Sequence, residues 1–172
     1  RLKLNNKVKV KFLDYRDLKD KYDAIASIEM IEAVGEKHLN KYFSTIKSNL
    51  KPNGVGAIQA IIIKDELFNR YRKNQDFIQK YIFPGGFLPS LQSIKDYSNK
   101  TGLILKGYNS YGPHYSQTLS KWRQNFIGSW NNISKQGFDS SFKKIWDFYF
   151  SYCEAGFRSK NIDLIQFSVR NK

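Results

Sequence analysis

The 172-residue sequence has little cysteine, few acidic side chains and no long apolar run. Cys153 is its single cysteine, which excludes an internal disulfide framework and a cysteine-rich zinc site. The longest apolar run, residues 55–63, has the length of a strand and falls well short of a membrane span. No initiator Met and no apolar leader stand at Arg1, so we expect a chain that continues upstream and has no signal peptide here.

Basic side chains outnumber acidic ones by 29 to 15, which gives a formal net charge of +14. Such an excess favours anionic partners, either nucleic acid or the headgroups of anionic lipids, and it is equally compatible with simple solubility. Hydrophobic residues make up 41% of the chain and aromatic residues 16%, so we expect one folded domain. No recognition-helix, RNP or zinc-finger pattern is present, and a basic nucleic-acid-binding module is therefore only the alternative of another class.

The apolar pattern of the first half predicts an α/β domain. Residues 8–12 alternate apolar and basic, which is typical of a half-buried strand, and residues 22–28 read as a buried strand. Residues 37–50 have helical spacing, residues 51–54 should stop that helix at Pro52, and residues 55–63 follow as a strand. This order indicates a parallel sheet, in which ligands bind at the carboxyl ends of the strands.

The second half is expected to add helices and to complete the sheet. Ser90 is suited to cap a helix, and Gly102 is suited to end it. The predicted elements are a helical stretch at 64–80, a Pro/Gly-rich loop at 81–90, a helix at 91–99, a strand at 104–109, amphipathic helices at 115–130 and 138–153, and a final antiparallel edge strand at 162–169.

Several stretches occur together in an order that resembles a known family. They are residues 22–35, 50–54, 80–90, 114–122 and 152–158, and they cover nearly the whole chain. Together they resemble the cyclopropane-fatty-acyl-phospholipid synthase family, including its mycolic-acid relatives. The Tyr-Ile-Phe-Pro-Gly-Gly loop is the most specific piece, whereas the Lys-Pro-Asn-Gly turn occurs in many Rossmann-like methyltransferases.

The resemblance implies the C-terminal part of a Rossmann-like class I S-adenosylmethionine-dependent methyltransferase sheet, with added helices and without the first βαβ unit. Residues 1–172 would form one partial domain. Within it, residues 1–63 would be the remainder of the core, residues 64–160 the lipid-substrate helical insertion with the C-terminal helices, and residues 161–172 the final strand.

The implied reaction is methylene transfer from S-adenosylmethionine to the double bond of an unsaturated phospholipid acyl chain, which forms a cyclopropane fatty acid. The alkene attacks the sulfonium methyl, and a bound bicarbonate takes the proton that the resulting carbocation loses. Aromatic faces tolerate such a cation, and this chain is rich in them. Two alternatives stay open: a related methyltransferase that makes a methyl-branched lipid or uses another acceptor, and a non-catalytic copy.

The resemblance also assigns residues to the bicarbonate and cation site. Glu32 would help hold the bicarbonate, Gln59 stands where many members carry a His, Tyr115 would lie near the anion, and Ile61 would contribute its backbone. Spacing alone is equally compatible with a helix-start carboxylate for Glu32, leaves a buried amide within the sheet as the alternative for Gln59, and favours a core aromatic for Tyr115. Cys153 is expected to be a small buried hydrophobe without a catalytic role.

Cofactor contacts are expected after the first two strands. By the resemblance, Asp14 and Tyr15 would meet the adenine, and Ser27, Ile28 and Glu29 could contact the cofactor where the next strand ends. An ordinary surface turn is the equal alternative for the first pair. The family's glycine-rich loop is missing from this chain, so we expect the chain alone to bind S-adenosylmethionine weakly or not at all and to be inactive.

The expected partner is a membrane lipid. The basic side chains of Lys121, Arg123, Lys143 and Lys144 would help the helices dock on an anionic bilayer, where the acyl chains are found. We therefore expect a cytoplasmic protein that associates peripherally with the inner face of the membrane. Nucleic acid is not expected as a partner, and a homodimer is possible.

Overall fold

Four strands form one mixed sheet in the order β1-β2-β4-β3, in a computed structural model that describes residues 7–172. The strands are β1 (Tyr22–Ile28), β2 (Leu50–Ile63), β3 (Leu103–Ser110) and β4 (Ile162–Asn171). β1 and β2 are parallel, whereas β4 runs antiparallel to both of its neighbours. The prediction of an α/β domain is confirmed.

The final strand is antiparallel, as predicted, but its expected position at the edge of the sheet is wrong. β4 lies between β2 and β3, and its pairing with β2 is continuous from Val55↔Arg170 to Ile63↔Ile162. β3 pairs with the other side of β4 and so takes up the backbone groups that an edge strand would leave unpaired. Among the described residues, β1 and β3 are the edge strands.

The helices follow the predicted order. They are α1 (Leu39–Asn49), α2 (Asp65–Tyr71), α3 (Phe77–Tyr81), α4 (Leu91–Lys100), α5 (Gly112–Gly128), α6 (Trp130–Ser134) and α7 (Ser140–Arg158). The helical stretch predicted at 64–80 is divided because Asp76 starts a new helix through a capping box with Gln79. The capping of α4 by Ser90 is confirmed, since the Ser90 hydroxyl accepts from the backbone N–H of Ser93.

The turn predicted at Lys51–Gly54 is present, but it lies inside β2. Tyr22 pairs with Leu50 and Ala24 with Val55, so the intervening residues of β2 form a bulge. Asn53 takes a positive φ of 62° there. Gly54 is required by the close approach of the chain, since a Cβ would lie 2.9 Å from the carbonyl oxygen of Lys51.

The strand predicted at residues 8–12 is not formed. These residues have no regular secondary structure, and the side chains of Val10 and Phe12 are fully exposed. A strand needs a neighbour that accepts and donates backbone hydrogen bonds, and within residues 7–172 β1 pairs only with β2. The alternating pattern is therefore not sufficient to form a strand at this place.

Two apolar clusters hold the helices against the sheet. The first packs α1 and α4 against one face of the sheet and includes Leu39, Phe43, Ile94 and Phe167. The second joins α5 and α7 to β4 and contains Leu119, Phe150, Phe157 and Leu164. No helix among residues 7–172 is long and apolar enough to cross a membrane.

Candidate active site

Glu29 is the centre of a polar cluster at the carboxyl end of β1. Its Oε1 accepts a hydrogen bond from Gln59 Nε2 at 2.8 Å, and its Oε2 accepts one from the Tyr115 hydroxyl at 3.2 Å. Its backbone N–H donates to the Gln59 carbonyl oxygen at 3.0 Å. Three segments far apart in sequence, β1, β2 and α5, therefore meet at one carboxylate.

The backbone of Glu29 is in the left-handed region, with a φ of 49°. For a residue other than glycine this conformation costs about 1–2 kcal/mol. Asn and Asp tolerate it better than Glu because their short side chains bond locally. The hydrogen bonds of the Glu29 side chain offset this cost, so the strained conformation and the polar cluster belong together.

Gln59 is held on both sides. Its Oε1 accepts from Gln166 Nε2 at 2.8 Å, and Gln166 is its direct cross-strand partner on β4. The amide oxygen of Gln59 is thereby committed to Gln166, which leaves its NH₂ group to donate to Glu29. A neutral donor with a fixed orientation thus faces the Glu29 carboxylate.

Glu32 lies one turn further on, in a short 3-10 helix at Ile31–Ala33. Its Oε1 accepts from the backbone N–H of Ile61 at 2.6 Å, while its Oε2 is buried without a partner among the described residues. Burial raises the pKa of Glu32 to about 6, against the opposing effect of the Ile61 N–H. The carbonyl oxygen of Glu32 accepts from Phe87 N at 2.8 Å, which ties the Pro/Gly-rich loop to the site.

Tyr115 is placed by the first turn of α5. Asp163 of β4 accepts a hydrogen bond from the backbone N–H of Gly112 at 2.8 Å. Its negative charge at the N-terminus of α5 stabilises the helix through the helix dipole. A Cβ on Gly112 would lie 2.5 Å from Asp163 Oδ1, so a larger residue there would force the Asp163 carboxylate to move. Burial raises the pKa of Tyr115, and the charges of Glu29 and, more weakly, Glu32 raise it further. All three groups therefore face the same small region.

Aromatic and sulfur groups close the site on the side of α5 and α7. The Tyr115 ring lies 5.0 Å from the ring of Phe157 and 6.1 Å from that of Trp122, measured between centroids. Burial raises the pKa of Cys153 to about 12, so its thiol is protonated at neutral pH and is a poor nucleophile. Cys153 is half-buried, not fully buried as expected, and its lack of a catalytic role stays a prediction.

The residues predicted to contact the cofactor are arranged at the neighbouring edge. Both carboxylate oxygens of Asp14 bind Arg16, at 3.0 Å and 2.7 Å, and this hydrogen bonding lowers the pKa of Asp14 to about 2. The Tyr15 ring packs edge-on against Tyr42, whose hydroxyl donates to Ser27 Oγ at 2.8 Å. Tyr15 is partly exposed at this edge and so offers the apolar surface that an adenine ring requires.

Ile28 presents apolar surface on the other side of the same strand end. Its side chain is 62% exposed, and it borders an open groove of about 580 Å³ on the uncovered face of the sheet. Gln59 and Tyr108 line the same groove. Asp14, Tyr15, Ser27 and Ile28 thus adjoin the polar cluster without belonging to it, whereas Glu29, also expected near the cofactor, is its centre.

The residues present do not fit the bicarbonate that the family resemblance implied. Of the donors expected to hold it, Gln59 and Tyr115 donate to Glu29, and the Ile61 N–H donates to Glu32. Neither glutamate takes part in an ion pair among residues 7–172. A further anion about 4 Å from either carboxylate would be repelled by roughly 4 kcal/mol at an effective dielectric constant of 20.

Glu29 is the site residue whose position sequence reasoning missed. The strand-end rule pointed to this segment, but it placed Glu29 only beside the cofactor. Its partners are 30 and 86 residues away in sequence, so no local pattern indicated them. The useful signal was an acidic residue directly after an apolar strand, next to a Gln within the apolar run of the following strand.

The fold and the polar cluster at the strand ends define a class of protein, the Rossmann-like methyltransferases. Mycolic acid cyclopropane synthase CmaA1, solved with SAH and CTAB, superposes with a TM-score of 0.81 at 26% identity, covering 91% of this chain and 58% of that one. A putative sarcosine dimethylglycine methyltransferase from Galdieria sulphuraria shares the fold, with a TM-score of 0.80 at 18% identity, covering 98% of this chain and 61% of that one.

The family within this class follows from sequence comparison. Residues 1–167 match the family model described as mycolic acid cyclopropane synthetase, and the chain belongs to that family. It is 41% identical over 165 residues to tuberculostearic acid methyltransferase UfaA1 of Mycobacterium tuberculosis strain ATCC 25618 / H37Rv, covering 95% of this chain and 39% of the relative. It is 35% identical over 153 residues to the cyclopropane-fatty-acyl-phospholipid synthase of Escherichia coli K12, covering 89% of this chain and 38% of the relative.

Proposed function

We propose that this chain forms the C-terminal part of a methyltransferase that uses S-adenosylmethionine to modify the double bond of an unsaturated phospholipid acyl chain. This part would carry the residues that meet the lipid. The observation that carries the proposal is the meeting of Glu29, Glu32, Gln59 and Tyr115 at the carboxyl ends of two parallel strands, beside aromatic rings. Membership of the mycolic acid cyclopropane synthetase family supports it. Because the chain spans 39% of its relative UfaA1, the proposal concerns the gene product that carries this sequence.

The cofactor proposal rests on the neighbouring edge of the sheet. When bound, S-adenosylmethionine supplies the methyl group as a sulfonium. Tyr15 and Ile28 would contact it through their exposed apolar surfaces, Ser27 would stay buried beneath, and Asp14 would hold the turn through Arg16. The solved CmaA1 structure contains SAH, which supports this assignment.

The chain's own groups suit a reaction that develops positive charge on carbon. The Tyr115 and Phe157 rings would exclude water and present their faces to the cation. The Glu29 carboxylate would stabilise the cation electrostatically, without reorganisation, because Gln59 and Tyr115 already hold it in place. Glu32 would keep the Ile61 backbone and the Pro/Gly-rich loop in position.

We propose further that an exposed aromatic surface, made of Tyr81, Phe148 and Tyr152, docks on the bilayer. These side chains are 55%, 52% and 42% exposed, and they pack around Phe77 where α3 meets α7. Tyr at a polar–apolar boundary and nearby Lys side chains are typical of interfacial binding. Of the basic residues expected to help, Arg123 is paired with Asp147 and Lys143 lies over the Trp130 ring, so Lys121 and Lys144 are the more suitable pair.

Two products are consistent with this site. The leading proposal is a cyclopropane fatty acid, and the second is a methyl-branched or methylene lipid, which the likeness to a tuberculostearic acid methyltransferase supports. The replacement of the usual His by Gln59 also keeps the second product open.

The test incubates the purified gene product with methyl-labelled S-adenosylmethionine and vesicles of dioleoyl phosphatidylglycerol. We expect label in the acyl chains of these vesicles and none in matched vesicles of saturated lipid. Mass spectrometry before and after mild hydrogenation separates the products, because a methylene takes up hydrogen, a cyclopropane resists it, and a saturated methyl branch is two hydrogens heavier than the cyclopropane from the start. Equal labelling of saturated lipid, or label only in the headgroup, would reject the proposal, and tighter binding to DNA than to these vesicles would favour the nucleic-acid alternative.

A further inference from the structure

The polar cluster already contains an anionic group of the chain itself, the carboxylate of Glu29. Glu29 accepts from Gln59 Nε2 at 2.8 Å and from the Tyr115 hydroxyl at 3.2 Å. By the family resemblance, these are the side chains expected to hold a bound proton-accepting anion. The Glu29 carboxylate therefore stands where that anion would be held.

The local backbone supports a role for this side chain. Glu29 has a φ of 49°, a conformation that glycine adopts without strain and glutamate does not. Its side chain is nevertheless held by an ordered chain of amides, because Gln166 fixes Gln59 and Gln59 fixes Glu29. A long acidic side chain in this position indicates that its carboxylate contributes something that glycine would not.

We propose that Glu29 is the catalytic base of the lipid methylation and takes the place of a bound bicarbonate. This proposal rests on the proposed function of the gene product. The alkene π electrons form the new carbon–carbon bond to the methyl group, and the sulfur–methyl bond breaks with its electron pair left on sulfur. A C–H bond of the resulting cation then breaks, its electron pair closes the ring, and the proton goes to a Glu29 carboxylate oxygen.

Glu32 is the other carboxylate at the site, and its surroundings suit a different task. Its Oε1 accepts from the Ile61 N–H at 2.6 Å, and its Oε2 is buried without a hydrogen-bond partner among the described residues. Glu29 accepts a hydrogen bond from the Tyr115 hydroxyl, and the Tyr115 ring packs against the ring of Phe157. Glu29 is thus the carboxylate better placed to meet a substrate carbon, and Glu32 is a positioning residue.

The first test measures anion binding and does not depend on lipid methylation. The purified gene product is titrated with carbon-13 bicarbonate and followed by NMR line width. We expect no saturable binding by the wild type and saturable binding by Glu29→Gly, because removing the side chain frees the donors of Gln59 and Tyr115. Saturable binding of bicarbonate by the wild type would overturn the proposal, even if the protein proved inactive on every lipid tested.

The second test measures methyl transfer to unsaturated phospholipid in carbon-dioxide-free buffer. The wild type should keep its rate, Glu29→Gly should lose about 100-fold or more, and added bicarbonate or formate should restore part of that loss. Glu29→Gln should lose as much without rescue, because its amide fills the same space. Glu66→Gln, on the exposed side of α2, is the matched control and should keep the full rate.

The outcomes separate the two proposals. A wild-type rate that falls to background without bicarbonate, or a Glu29→Gly rate that stays high without it, would overturn the role of Glu29 while leaving the lipid methyltransferase intact. A wild type that labels no lipid would reject the proposed function, and the bicarbonate titration would still decide whether Glu29 excludes that anion.

Discussion

The strained backbone of Glu29 allows a sharp comparison between two substitutions that both remove its carboxylate. Glu29→Ala loses the hydrogen bonds to Gln59 and Tyr115, and at this half-buried place the loss should cost about 2 kcal/mol of unfolding free energy. Glu29→Gly loses the same bonds but relieves the strain at a φ of 49°. Relieved strain of about 1–2 kcal/mol, less the entropic cost of glycine of about 0.5–1 kcal/mol, should leave the glycine variant the more stable of the two by about 0.5–1 kcal/mol.

The assay is urea unfolding of the purified gene product, followed by tryptophan fluorescence, with both variants and the wild type at one pH. The comparison is informative because glycine is normally the less stable choice through its greater unfolded-state entropy. If Glu29→Ala were more stable than Glu29→Gly by the ordinary entropic cost of glycine, about 0.5–1 kcal/mol, the backbone would not be strained, and the argument that the side chain is retained for its carboxylate would lose its support. Lys160→Gly, at a φ of 58° in the turn between α7 and β4, is a matched control for the effect of strain alone, because its side chain forms no hydrogen bond with Glu29, Gln59 or Tyr115.

Three further predictions concern other parts of the molecule. The pKa of Glu32 is raised from 4.5 to about 6, so the folded state binds more protons than the unfolded state between these values, and the free energy of unfolding should fall by about 2 kcal/mol as pH rises through them. Glu32→Gln should abolish this pH dependence in unfolding measured from pH 4 to 7. An unchanged pH dependence would contradict the raised pKa of Glu32. Gly112→Ala should destabilise by about 2 kcal/mol in thermal unfolding by driving α5 from its capping carboxylate, whereas Gly128→Ala, which meets open space, should not destabilise the protein. Phe148→Ser should weaken vesicle binding in a flotation assay about tenfold, or about 1.4 kcal/mol, because it removes apolar area from the proposed docking surface. Ile127→Ser, at a similarly exposed position on α5 outside that surface, should leave binding unchanged, and an equal loss from both variants would contradict the docking surface.

The local parts of the fold were predictable because their causes are local. Ser90 caps α4 through its own side chain, and Gly102 ends that helix with a φ of 73°. β1 and the second part of β2 are largely apolar runs bounded by turn residues, which favours strands. The expectation that residues 22–28 are buried was wrong, because β1 is an edge strand within the described residues and only Ser27 of it is buried. The prediction failed where an alternating pattern needed a neighbour, since residues 8–12 pair with no strand within the described chain.

The sequence by itself therefore determined the class of fold, most helix and strand positions, and the family, because periodicity, caps and short motifs are read within a few residues of chain. Only the tertiary structure decided that β4 lies inside the sheet and that Glu29 joins Gln59 to Tyr115. The physical reason is that cross-strand hydrogen bonds and a shared carboxylate are contacts between distant segments. Their geometry exists only once β1, β2 and α5 are packed together.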